Sequence, residues 1–156
     1  MTLVDKETYL RFCDEALVGM RDLVVELGDQ VANRRPELPD ANSPFAILTH
    51  CLGVCAHWAS TVNLGRVVPR DRPAEFTASG LVADLAADVD RMRESLAGWV
   101  AAADLAAAPD NPPPPPEDFF AAIQGAVLFH VYEELSQHRG QLEITRDVLM
   151  NPAEPS

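Results

Sequence analysis

At 156 residues the chain has the length of one domain able to bury a core without disulfide or metal staples, and a single domain over 1–156 is expected, closing with a flexible tail at 151–156. Hydrophobic residues at 47% and charged residues at 23% are globular values that exclude wholesale disorder despite 13 prolines, while 12 basic against 24 acidic residues give a net charge of −12 that excludes nucleic acid and anionic lipid as partners. No apolar run approaches membrane-spanning length, and MTLVDKETYLRF lacks the basic-then-apolar layout of a secretory signal, so no membrane association and a cytoplasmic location are expected.

Apolar residues at Tyr9, Phe12, Cys13, Ala16, Leu17, Met20, Leu23, Val24, Leu27 and Val31 recur three and four positions apart, which predicts a helix over residues 5–31 with one buried face. Asp5 and Glu7 suit its start, Gly28 marks fraying near its end, and RRPELPDAN carries the turn residues of a connection. Ser43 followed by Pro44 is an N-cap and first-turn pair. It opens a second helix with the stripe Ile47, Leu48, Cys51, Leu52, Cys55, Trp58 and Val62, stopping around Gly65. Cys13, Cys51 and Cys55 form no CxxC pair and read as reduced, buried, small hydrophobes rather than redox groups.

The loop RVVPRDRPAEF that follows holds Arg66, Arg70 and Arg72. It reads as a solvated linker, with a clamp for an anionic substrate as the functional alternative. A third helix, starting near Thr77 or Ser79, places Leu81, Leu85, Val89, Met92, Leu96, Trp99 and Ala103 on one side and Asp84, Asp88 and Arg91 on the other. NPPPPPED cannot be helical, because successive prolines remove donors and fix φ, so it is expected to be a short extended spacer. The fourth helix is expected from about Glu117 to Leu149. Four amphipathic helices with no strand-like alternation predict an all-α four-helix bundle, and the exposed flanks of the first and fourth helices could pair in a homodimer.

On the fourth helix Phe120, Val127, Val131, Glu134, His138 and Thr145 share one direction, so Glu134 and His138 face the core. An unpaired buried carboxylate costs on the order of several kcal/mol, so Glu134 needs a positive partner or a proton. One candidate is a metal ion shared with His138, since residues four apart on a helix stand about 5 to 6 Å apart at Cβ. The other is an ion pair from Glu134 to a histidine or arginine, with no metal. A third ligand has to come from elsewhere, and helical periodicity leaves His50, His57 and His130 all open.

The motif HRGQ with a ligand-type side chain four residues before it, together with HCLGVCAHW spanning His50 to Trp58, resembles the DinB superfamily. The residue four before the HRGQ histidine is usually histidine in that superfamily and is Glu134 here. That variation is similar to the branch containing mycothiol-dependent maleylpyruvate isomerase and related thiol S-transferases. The resemblance implies a DinB-like bundle and a divalent metal, zinc in most members, held by His50, Glu134 and His138. Members of the branch often carry histidine where this chain has Gln141. Gln141, Arg139, His57 and His130 are the further polar residues expected to support the ligands or meet substrate.

Three protein ligands with one open position are the arrangement of a catalytic zinc site, and a thiol bound there loses its proton. The function expected from the resemblance is therefore a metal-dependent enzyme that activates a low-molecular-weight thiol, mycothiol or an analogue, for S-transfer to a small electrophile or for thiol-assisted isomerisation. The alternative is a non-enzymatic metal-binding helical module.

Overall fold

The computed structural model describes residues 4–151. The expected tail therefore lies, apart from Asn151, outside the described residues. The helices are α1 (Lys6–Ala32), α2 (Pro44–Cys55), α3 (Arg72–Glu75), α4 (Val82–Ala102) and α5 (Gln124–Met150). No strand occurs among the described residues, and the all-α, DinB-like bundle is what the chain forms. Helix α1 packs against α4 and α5, and α2 packs against the same two helices, so four long helices enclose one core. Leu17, Met20, Leu48, Leu96, Leu135 and Leu142 are its largest fully buried side chains, together with a set of valines.

Local chemistry starts two of these helices as expected. The Asp5 carboxylate accepts the Thr8 N–H at 2.7 Å, and the Ser43 hydroxyl accepts the Ala46 N–H at 3.2 Å ahead of Pro44. At Gly28 the backbone turns to φ 68°, which favours glycine, but α1 resumes beyond it and buries Ala32 completely. Gly28 is thus a kink rather than a frayed end.

Elsewhere tertiary contacts move the boundaries. Helix α4 begins at Val82, later than Thr77 or Ser79, because its cap is supplied from α1: the Asp29 carboxylate accepts the Val82 N–H at 2.7 Å, and Asn33 exchanges hydrogen bonds with Gly80. The last helix begins at Gln124 rather than Glu117. Residues Glu117–Ala121 form a separate 3₁₀ turn, and Ile123 is extended. Gln124 closes the preceding loop by accepting the Asp104 N–H and donating to the Ala108 carbonyl.

After Cys55, α2 continues through a π-helical turn, Ala56–Val62, a widening of the helix often found beside functional sites. The stretch Pro44–Val62 does have the length and hydropathy of a membrane span, contrary to the expectation that no apolar run comes near it, and 78% of it is buried inside the bundle. Its apolar character is that of a central core helix covered on most sides by its neighbours.

Candidate metal centre

His50 lies on α2, while Glu134 and His138 lie one turn apart on α5, and the packing of α2 on α5 brings the three together. One ligand-type atom from each falls within 4.8 Å of the others. The Glu134 Oε2 is 3.4 Å from His138 Nε2 and 4.0 Å from His50 Nε2. Tetrahedral bonds of about 2.0–2.1 Å set ligand atoms roughly 3.3–3.4 Å apart, so the Glu134–His138 pair already has the spacing of zinc ligands and the widest pair has to close by up to about 1.5 Å to hold a zinc-sized cation.

The outer nitrogens support that fit. His50 Nδ1 donates to the Glu75 carboxylate at 2.8 Å, and His138 Nδ1 donates to Gln141 Oε1 at 2.8 Å. With each Nδ1 carrying a proton, it is Nε2 on each ring that faces Glu134, and each Nε2 offers a lone pair to a cation once it is deprotonated, which at His138 means giving up the proton it shares with Glu134. His50 is buried, whereas Glu134 and His138 are 25% and 24% exposed in their side chains. The carboxylate expected inside the core thus lies in a cavity wall, where water offsets part of its burial cost.

The charges are coupled accordingly. Burial lowers the His50 pKa, outweighing the attraction of Glu75. The hydrogen bond to His138 holds Glu134 below the usual carboxylate range, and the same bond raises His138 above the usual imidazole value.

A cavity of about 550 Å³ opens beside the triad. His50, Val54, His57, Trp58, Arg70, Arg72, Phe120, His130, Glu133, Glu134 and Gln137 line it. His130 is buried, stacks on Phe120 with ring centroids 4.1 Å apart, meets the edge of Trp58, and has Nδ1 2.9 Å from Glu133. His57 sits on the π-helical turn and lies edge-on to Trp58. Neither is drawn into the triad. Arg139, expected beside the ligands, is instead turned toward α1, where it pairs with Glu15 at 2.6 Å and also reaches Glu143.

The arginine loop is not simply a solvated linker. Arg70 binds Glu75 through two hydrogen bonds, at 2.6 and 3.0 Å, and Arg72 lies over the Phe76 ring. Burial pushes Glu75 toward protonation, but Arg70 and His50 together hold its pKa below the usual value. Glu75 and Phe76 are the site neighbours that reading the sequence missed. A signal for them was present, because Asp71 followed by Pro73 repeats the cap-and-proline pattern of Ser43 and Pro44, and Asp71 does cap α3 through the Ala74 N–H.

The family model described as Mycothiol-S-transferase matches residues 8–150. A search of curated proteins finds no match to the chain.

Proposed function

The chain belongs to the mycothiol S-transferase family, and from that premise we propose that it is a divalent-metal-dependent enzyme transferring a low-molecular-weight thiol, mycothiol or an analogue, to a small electrophile. His50, Glu134 and His138 would hold the cation, and their two nitrogens and one carboxylate oxygen favour zinc over magnesium or calcium. When bound, the cation supplies positive charge that makes a thiol a thiolate near neutral pH. The observation that carries this reading is the pair of imidazoles with Nδ1 hydrogen-bonded outward and Nε2 turned to the same carboxylate.

The thiol has to come from outside the chain. Cys13, Cys51 and Cys55 are all buried, and burial raises their pKa values, that of Cys13 to about 11. They stay protonated and shielded. In the cavity, the Trp58 and Phe120 rings offer apolar surface suited to the carbon skeleton of an electrophile, while His57, Arg72 and Gln137 supply polar contacts. In the transfer a sulfur–carbon bond forms, the bond from that carbon to its leaving group breaks, and the thiol proton departs with the leaving group. We further infer pairing of two copies through the exposed flanks of α1 and α5, where Phe12 and Phe129 are uncovered.

The test combines metal-loaded protein, a small thiol and a chlorinated bimane, with the conjugate measured against the uncatalysed rate. Conjugation above that rate supports the enzyme. Retained metal with no conjugation favours a metal-binding module. A third reading, a polar cluster without metal, is favoured by the 3.4 Å Glu134–His138 pair, which is an adequate ion pair by itself. Elemental analysis of protein purified without a polyhistidine tag separates it, because that reading requires no stoichiometric metal.

A further inference from the structure

We propose that Glu75 and Arg70 are positioning residues that set the ring orientation and tautomer of His50 before any cation arrives, in a space that Gly53 leaves open. The last step, from an oriented ring to a better metal ligand, rests on the reading of His50 given above.

Glu75 is 7% exposed, so its carboxylate sits almost entirely out of water and has to be compensated there. Arg70 provides the compensation as a two-pronged fork, Nε to Oε1 at 2.6 Å and Nη2 to Oε2 at 3.0 Å. The same Oε2 receives His50 Nδ1 at 2.8 Å. An ionised carboxylate only accepts hydrogen bonds, so the proton of a neutral His50 is drawn to Nδ1 and the lone pair is left at Nε2.

The backbone makes room for this arrangement. A Cβ at Gly53, one turn beyond His50 on α2, would lie 2.0 Å from Glu75 Oε1, 2.7 Å from its carboxyl carbon and 3.1 Å from Arg70 Nε. The carboxylate therefore occupies the place of the missing side chain. Phe76 stacks on the His50 ring with centroids 4.9 Å apart and fixes its plane from the other direction. His138 has nothing comparable, since its Nδ1 meets only Gln141, an exposed amide one turn along the same helix. His50 is consequently the preset member of the triad, and a carboxylate partner also makes its Nε2 a stronger donor than an amide would.

Full-length protein stripped of metal with a chelator provides the first test. Long-range ¹H–¹⁵N spectra at pH 7.5 are expected to show His50 as the Nδ1–H tautomer, and an Nε2–H tautomer or an averaged mixture overturns the proposal. Zinc titration against a fluorescent chelator provides the second. Glu75→Gln, and Gly53→Ala which removes no polar atom, are each expected to weaken zinc binding about 10- to 100-fold while Gln141→Ala costs only a few-fold. Circular dichroism checks that each variant is folded.

Wild-type affinity in a folded Glu75→Gln or Gly53→Ala variant, or an equal loss in Gln141→Ala, overturns the proposal. If neither α2–α3 variant folds, the tautomer of the wild-type protein decides. If the wild type binds no zinc, the metal reading fails, while the tautomer still tests the positioning of His50.

Discussion

Zinc should act as a clamp between α2 and α5, because the candidate ligands come from residues 84 positions apart, 134 minus 50, and converge only when the bundle is folded. A ligand that binds the native state alone stabilises it by mass action, about 2.7 kcal/mol when its free concentration is 100 times Kd. For a domain of this size each kcal/mol raises Tm by about 2–4 °C, so the increase on adding zinc to metal-free protein should be about 5–11 °C. His138→Ala should abolish most of it. Without metal the same substitution removes the 3.4 Å contact to Glu134, the 2.8 Å hydrogen bond to Gln141 and the edge contact with the His50 ring, from side chains about a quarter exposed. Together these contacts contribute about 1–2 kcal/mol, so the two metal-free proteins should melt within about 8 °C of each other, and the metal-dependent part is the difference between the zinc responses of the two proteins. Differential scanning calorimetry with zinc, with magnesium and with chelator measures all three quantities. A zinc-induced rise of the same size in wild type and His138→Ala would refute the clamp, and so would an equal response to magnesium.

Leu17→Ala removes a fully buried side chain from α1 and should cost about 2–5 kcal/mol in urea unfolding; a loss below about 1 kcal/mol would show that the core tolerates the cavity. Gln124→Ala strands the Asp104 N–H and the Ala108 carbonyl, an expected cost of about 1–3 kcal/mol together with faster hydrogen exchange at residues 103–109. The three buried thiols should resist a disulfide reagent in the native protein and all react in denaturant. Burial holds Cys13 near 11 and raises Cys55 as well, while an unfolded thiol titrates near about 8.5. Their contribution to stability is therefore complete below about pH 8.5 and falls by roughly 1.4 kcal/mol per pH unit per thiol as pH rises toward 11. A urea midpoint unchanged between pH 7 and pH 10 would contradict this.

What could be read from the chain alone was whatever short-range geometry controls. Asp5 and Ser43 cap helices through N–H groups three residues away, and an apolar stripe shows its buried face in any stretch of ten residues. Glu134 and His138 meet because four positions is one helical turn. Periodicity could not choose among His50, His57 and His130, since it gives a direction around one helix and no distance to another; the family resemblance singled out His50. Long-range packing decided the rest. It put His50 Nε2 within 4.0 Å of Glu134, capped α4 with Asp29 from 53 positions away, turned Arg139 to α1, and set Glu75, 25 positions from His50, into the space at Gly53. Hydrogen bonds and charges act over a few ångströms of space, and only the folded bundle converts separations of tens of residues into such distances.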